Sequence, residues 1–190
     1  MLIPFNTNSV RLTSPFGPRM LGGVPDDHKG YDLVGLGSLD VVAAVGGTVM
    51  QSRIVTDKND RTWEWGNYVC IRTDEGQYHY YCHLASRAVM RGQRVTAGTK
   101  LGVMGSTGYT QGAHLHFEIR AEDGQTKIPP ETVLGIPNRA GIYTVSTLED
   151  DLAVLQRHGV VNTPSYWVQN AHRLQYVDEL IHKMAEVLRR

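Results

Sequence analysis

Between residues 112 and 120 the chain alternates, with polar side chains at His114, His116, Glu118 and Arg120 and apolar ones at Leu115, Phe117 and Ile119. That period of two predicts a half-buried β-strand carrying both imidazoles on one face and anchored in the core by the other. Positions two apart on a strand stand roughly 6.5 to 7 Å apart, close enough for both histidines to serve one small site. Shorter apolar runs separated by glycine turns predict further strands at residues 31–34, 41–45, 48–55, 68–73, 77–84, 94–96 and 100–104. Strands so closely spaced indicate an antiparallel sheet, sandwich or barrel. Residues 10–19 read as a strand broken by Pro15, Gly17 and Pro18, and the stretch from Leu21 to Gly30 reads as a loop, because Gly22, Gly23, Pro25 and Gly30 oppose a helix. Residues 56–62 read as a charged hairpin tip or loop, with Trp63 and Trp65 after it as packing residues or a groove wall.

The pattern changes after residue 145. Leu148, Leu152 and Leu155 recur at helical spacing behind a capping-box pair, Ser146 and Glu149, and Gly159 marks a stop. Thr163 and Pro164 then open a second amphipathic stretch whose apolar stripe is Trp167, Ala171, Leu174, Val177, Ile181, Met184 and Leu188. The expected architecture is therefore mainly β. An antiparallel β-sheet or sandwich core occupies residues 1–145, and a small helical hairpin at 146–190 forms an appendage.

Composition narrows the function classes. A formal net charge of zero across 190 residues argues against nucleic acid or an anionic membrane surface as a partner recognised by bulk charge. The first residues show no basic-then-apolar leader, and no run of about 18 apolar residues is present, so no membrane anchor is expected. The two cysteines, Cys70 and Cys82, are too few for a disulfide framework. A hairpin through Asp74, Glu75, Gly76 and Gln77 that sets Cys70 opposite Tyr81 puts the cysteines on opposite faces, and free thiols are expected.

Five residues are candidates for one chemical centre: His28, Asp32, His83, His114 and His116. Catalytic zinc is held by three nitrogen or oxygen ligands, and imidazole with carboxylate leaves enough positive charge on the metal to acidify water. A further histidine then serves as base or as a stabiliser of charge on a scissile carbonyl oxygen. Alternation alone leaves open which of His114 and His116 is the ligand.

The runs His28-Lys29-Gly30-Tyr31-Asp32, Tyr81-Cys82-His83-Leu84 and His114-Leu115-His116-Phe117-Glu118, in that order and with Gly105-Ser106-Thr107-Gly108 before the last, resemble the lysostaphin/LytM-type zinc endopeptidases. Ser14-Pro15-Phe16-Gly17-Pro18-Arg19 and the stretch from Val95 to Gly102 are also similar to that family, so the resemblance covers roughly residues 9–122. It implies that His28, Asp32 and His116 hold one zinc ion per chain. His83 and His114 would then be the catalytic pair that polarises the attacking water and stabilises the tetrahedral intermediate. The implied activity is a zinc-dependent endopeptidase that cleaves bacterial peptidoglycan in its stem peptide or cross-bridge, on an antiparallel β-sheet core with a loop-walled groove. Some members place a tyrosine shortly before the first zinc histidine. Here that stretch is Leu21-Gly22-Gly23-Val24, so no such oxyanion role carries over.

Arg19, Asn67 and Thr107 are candidate substrate contacts, against the plainer readings of a surface ion pair for Arg19 and turn caps for the other two. His79 is expected on a solvated strand face, and His158, His172 and His182 on the tail surface. The alternative function is an inactive family member that binds and regulates wall hydrolases. A carrier barrel is the remaining reading, but Lys100 lies at a strand start rather than at a hairpin tip. A wall-acting protein without a leader is expected to be a phage endolysin released by a holin, a virion-associated lysin, or a secreted enzyme with its leader removed.

Overall fold

The computed structural model describes residues 3–171 and 177–189, which form two compact units, Met1–Tyr143 and Thr144–Arg190. The first unit contains β1 (Ser9–Ser14), β2 (Gly17–Leu21), β3 (Val24–His28), β4 (Gly30–Gly35), β5 (Asp40–Val42), β6 (Gly47–Arg53), β7 (Tyr68–Thr73), β8 (Tyr78–Cys82), β9 (Leu84–Arg87), β10 (Arg94–Val95), β11 (Lys100–Met104), β12 (Leu115–Arg120) and β13 (Lys127–Ile128). A one-turn helix, α1 (Glu131–Leu134), and β14 (Gly141–Thr144) close it. The main sheet runs β10-β6-β7-β8-β12-β4-β1-β14, with β13 beside β12. A smaller sheet is ordered β5-β11-β9, and β2 pairs with β3 alone. The pairings that position the site are antiparallel, so the mainly β architecture is the one the alternation predicts.

Strand β12 is the central element. Leu115, Phe117 and Ile119 are fully buried, as are the cross-strand partners Leu33, Tyr31 and Tyr81. Its polar face is buried as well: Glu118 is only 2% exposed. The half-buried strand expected from alternation is therefore buried on both sides. Its polar residues are satisfied by one another, with Arg120 Nε donating to Glu118 Oε1 over 2.6 Å.

Three local expectations are corrected. Residues 24–28 form β3 rather than a loop, because Gly22 and Gly23 both take left-handed φ and make a two-residue hairpin turn that pairs Leu21 with Val24. The β7–β8 loop has three residues rather than two. Gly76 takes φ 90°, Thr73 N donates to Gln77 O, and Cys70 falls opposite Tyr80. That one-residue shift puts Cys70 and Cys82 on the same face, packed with Val55, Tyr68 and Tyr80. His79 is buried, not solvated. It lies opposite Ile119 with its ring edge-on to Phe117 at 5.6 Å, its Nε2 is 3.2 Å from Gln77 Oε1, and its Nδ1 has no partner.

Burial pushes the His79 imidazole down to about 4. Below pH ~6.5 the unfolded chain binds a proton there that the folded chain does not, so stability falls as pH drops from about 6.5 to 4. At ~1.4 kcal/mol per pH unit the full span is on the order of 3 kcal/mol. Melting curves over that range are expected to show wild type losing ground to His79→Leu as the solution is acidified; parallel pH profiles would contradict this.

The second unit contains α2 (Leu148–Arg157), α3 (Pro164–Asn170) and α4 (Val177–Arg189). It has its own core of Leu152, Val154, Leu155, Ala171, Ile181 and Ala185. The capping box begins one residue later than expected: Thr147 Oγ1 accepts from Asp150 N, and Thr147 N donates to Asp150 Oδ2. Ser146 Oγ instead lies 3.3 Å from His182 Nδ1. His182 is not a free surface residue, since Nδ1 is 3.0 Å from Oδ2 of the buried Asp151, which also accepts from Arg189. His158 is exposed. His172 and Leu174 lie outside the described residues. No described helix is long and apolar enough to cross a membrane.

Candidate active site

Asp32 on β4 and His116 on β12 are register partners, so the pleat aims both side chains to one face. His28 is the last residue of β3, and the chain enters β4 through Lys29 and Gly30. Gly30 is required by this approach: a Cβ there would overlap the Phe117 carbonyl oxygen and stand 3.0 Å from His116 Cε1. The result is a triangle of donor atoms. His28 Nε2 is 3.1 Å from Asp32 Oδ1 and 3.1 Å from His116 Nδ1, and His116 Nδ1 is 3.0 Å from Asp32 Oδ1.

The remaining polar atoms of these three residues are already engaged. His28 Nδ1 donates to the Pro15 carbonyl over 2.8 Å, which leaves the Nε2 lone pair facing the triangle. His116 Nε2 is 3.4 Å from Glu118 Oε2, which turns Nδ1 inward. Asp32 Oδ2 accepts from Arg19 Nη1 over 3.2 Å. Burial by itself would raise the Asp32 carboxyl, but His116 and His28 outweigh it and hold the group well below the ordinary carboxylate range. Burial would likewise lower His116, yet its contacts with Asp32 and Glu118 push it up to about 9, so a metal taken up there displaces a proton.

His83 and His114 complete the cluster. His83 joins β8 of the main sheet to β9 of the smaller one in a single residue, and takes φ 64°, the one left-handed non-glycine among the described residues. Its N–H donates to Trp65 O and its Nδ1 to Thr107 O over 2.9 Å, so its Nε2 carries the free lone pair. Burial, with His116 and His114 nearby, pushes its imidazole down to about 3. His114 precedes β12, bridged to Gly105, and its Nδ1 lies 2.9 Å from Gly112 O. The His83 and His114 rings are 4.8 Å apart, and His114 Nε2 is 3.5 Å from Asp32 Oδ1.

Arg19, Asn67 and Thr107 are engaged within the chain. Arg19 pairs with Asp26 and Asp32. Asn67 accepts from Val55 N and donates to Leu84 O. Thr107 Oγ1 accepts from Asn67 N and donates to Leu84 O, so that loop holds the carbonyl on which His83 is oriented. Glu118 stands in the motif quoted above, but no role was expected for it. The available signal was its place two residues beyond His116 on the same strand face. Its carboxyl, which burial would raise, is brought down to about 2 by His116 and Arg120. Glu118→Gln keeps the shape but removes the charge facing the imidazole. It is expected to weaken zinc affinity ten- to a hundredfold, measured by competition with a chromophoric chelator; unchanged affinity would show that the carboxylate charge is idle.

The donor set fits zinc. Two imidazole nitrogens and one carboxylate oxygen are the donors and the number found in catalytic zinc sites, and donors in tetrahedral zinc with ~2.05 Å bonds stand about 3.3 Å apart, close to the triangle observed. Among the described residues His28, Asp32 and His116 are the group of metal-ligating side chains that converges this closely. A β-sheet scaffold presenting this triad beside two further histidines is a site suited to a single zinc ion.

The chain belongs to peptidase family M23, whose model matches residues 26–129. The peptidoglycan DD-endopeptidase ShyC of Vibrio cholerae is 36% identical over 112 residues, covering 57% of this chain and 24% of that protein. The catalytic domain of the prophage-encoded M23 protein EnpA from Enterococcus faecalis superimposes with a TM-score of 0.55 at 26% identity, covering 71% of this chain and 95% of that one. The catalytic domain of lysostaphin from Staphylococcus simulans gives 0.53 at 25% identity, with 69% and 94% covered. The chain matches about a quarter of the length of the first curated relatives.

Proposed function

We propose that this chain is a zinc-dependent endopeptidase acting on the peptide part of bacterial peptidoglycan, in the stem peptide or the cross-bridge. The observation that carries this reading is the convergence of His28, Asp32 and His116 within hydrogen-bond distance of one another, with His83 and His114 alongside. Zinc, when bound, supplies Lewis acidity that polarises a carbonyl and makes water a nucleophile near neutral pH.

The protein's own residues do the rest. His83 and His114 each commit Nδ1–H to a backbone carbonyl and present a bare Nε2, the form that accepts a proton. Once protonated, that same nitrogen donates toward negative charge developing on the scissile carbonyl oxygen. Burial disfavours the charged form of His83, so a proton taken up there is readily passed on, and the backbone anchors hold both rings in place before substrate arrives. The intact triad speaks against the regulatory, inactive alternative. Residues 1–145 would form the catalytic domain and 146–190 an appendage. A phage endolysin is one origin compatible with such an activity, and a secreted bacterial enzyme is another.

The test is metal removal. Treatment with 1,10-phenanthroline is expected to abolish digestion of purified peptidoglycan, and added zinc to restore it, with mass spectrometry of the released muropeptides identifying the bond cut. Digestion by metal-free protein, or none by the zinc-loaded protein, would overturn the reading.

A further inference from the structure

We propose that Arg19 is a positioning residue for the metal centre: its guanidinium holds Asp32 with one oxygen turned to the metal and ties the hairpin that delivers His28 to the same carboxylate. Arg19 stands on β2 directly opposite Asp26 on β3, and its Nε donates to Asp26 Oδ2 over 2.6 Å. Its Nη1 reaches past the hairpin to Ser14 Oγ at 2.7 Å and Asp32 Oδ2 at 3.2 Å. The two oxygens of Asp32 are thereby divided. Oδ1 faces His28 Nε2 and His116 Nδ1, whereas Oδ2 is turned away and held by a permanent cation.

The hairpin makes this tie consequential. Strands β2 and β3 pair only with each other, and an isolated two-stranded hairpin is marginal in water. Its last residue is nevertheless the ligand His28, opposite Gly17. Among the described residues, Arg19 is the one lysine or arginine paired with Asp32. A fork with separate donors suits this three-way contact to Asp26, Ser14 and Asp32; a lysine offers a single point of charge. The Arg19 side chain is only 24% exposed and its guanidinium is committed inside the chain, which separates this role from contact with substrate.

The inference rests on the zinc reading above. The experiment measures zinc affinity by chelator competition, and the visible absorption of the cobalt-loaded protein, in wild type, Arg19→Gln, Arg19→Lys and Asp26→Asn. Arg19→Gln is expected to weaken zinc binding ten- to a hundredfold and to alter the cobalt spectrum, which reports ligand geometry and not fold stability. Arg19→Lys is expected to recover part of the affinity, and Asp26→Asn, which frees only the hairpin end, to cost less than Arg19→Gln. Wild-type zinc affinity and cobalt spectrum in Arg19→Gln, with a raised KM alone, would overturn the proposal in favour of substrate contact. If Arg19→Gln does not fold, wild-type affinity in both Arg19→Lys and Asp26→Asn overturns it equally. A wild-type protein that takes up no zinc would instead overturn the functional reading beneath it.

Discussion

His116→Ala is expected to lose zinc on dialysis, whereas His114→Ala keeps it and loses turnover by a factor of roughly 10² to 10⁴. The two residues are two positions apart, but their nitrogens do different things. His116 Nδ1 lies 3.1 Å from His28 Nε2 and 3.0 Å from Asp32 Oδ1, with its other nitrogen turned to the buried Glu118. His114 is anchored to the Gly112 carbonyl and sits ring to ring with His83, its Nε2 at 3.5 Å from Asp32 Oδ1. Removing the first takes away one of three donors and leaves a hole in a buried site. Removing the second leaves the donor triangle intact and deletes a proton carrier. Metal content after dialysis and muropeptide release measured on the same samples separate the two cases. Equal loss of metal in both variants would show that the division of labour is wrong even if the enzyme is a zinc peptidase.

Gly30→Ala is expected to cost about 3 kcal/mol or more of stability and to disturb the metal site at the same time. The added methyl has no room, because it falls on the Phe117 backbone oxygen and 3.0 Å from His116 Cε1. Neither backbone can yield without separating β4 from β12, the pair that brings Asp32 opposite His116. The effect is therefore read twice, as a lower melting temperature for the metal-free protein and as weaker zinc binding. An alanine variant with wild-type values for both would mean that β4 shifts freely against β12. Exposed glycines such as Gly22 and Gly23 have open space around them, and there any cost comes from φ alone.

Much of this site was legible before any coordinates. The period of two at residues 114–120 placed two imidazoles on one face, and the spaced motifs carried the resemblance from which the ligand set and the catalytic pair were expected. Other features were not legible because they turn on single-residue choices. Whether Asp74, Glu75 and Gly76 make a two- or three-residue loop decides on which face Cys70 lies, and the left-handed Gly76 makes it three. His79 and Glu118 read as outward polar positions in an alternating strand, yet both are buried, because alternation reports which residues share a face and not what later covers that face. In the tail, Thr147 and Asp150 took the cap that Ser146 and Glu149 seemed to offer, since Ser146 Oγ lies against His182 from α4.

The sequence by itself determined the antiparallel β character, the helical tail and the chemical identity of the donors, since strand period, turn residues and side-chain type are local properties of the chain. Only the tertiary structure decided which nitrogen of each histidine faces the metal site, which oxygen of Asp32 is free, and that Arg19 and Glu118 stand behind the ligands. Those outcomes depend on contacts between residues up to 88 positions apart, as between His28 and His116, and they follow from register and burial rather than from any stretch read alone.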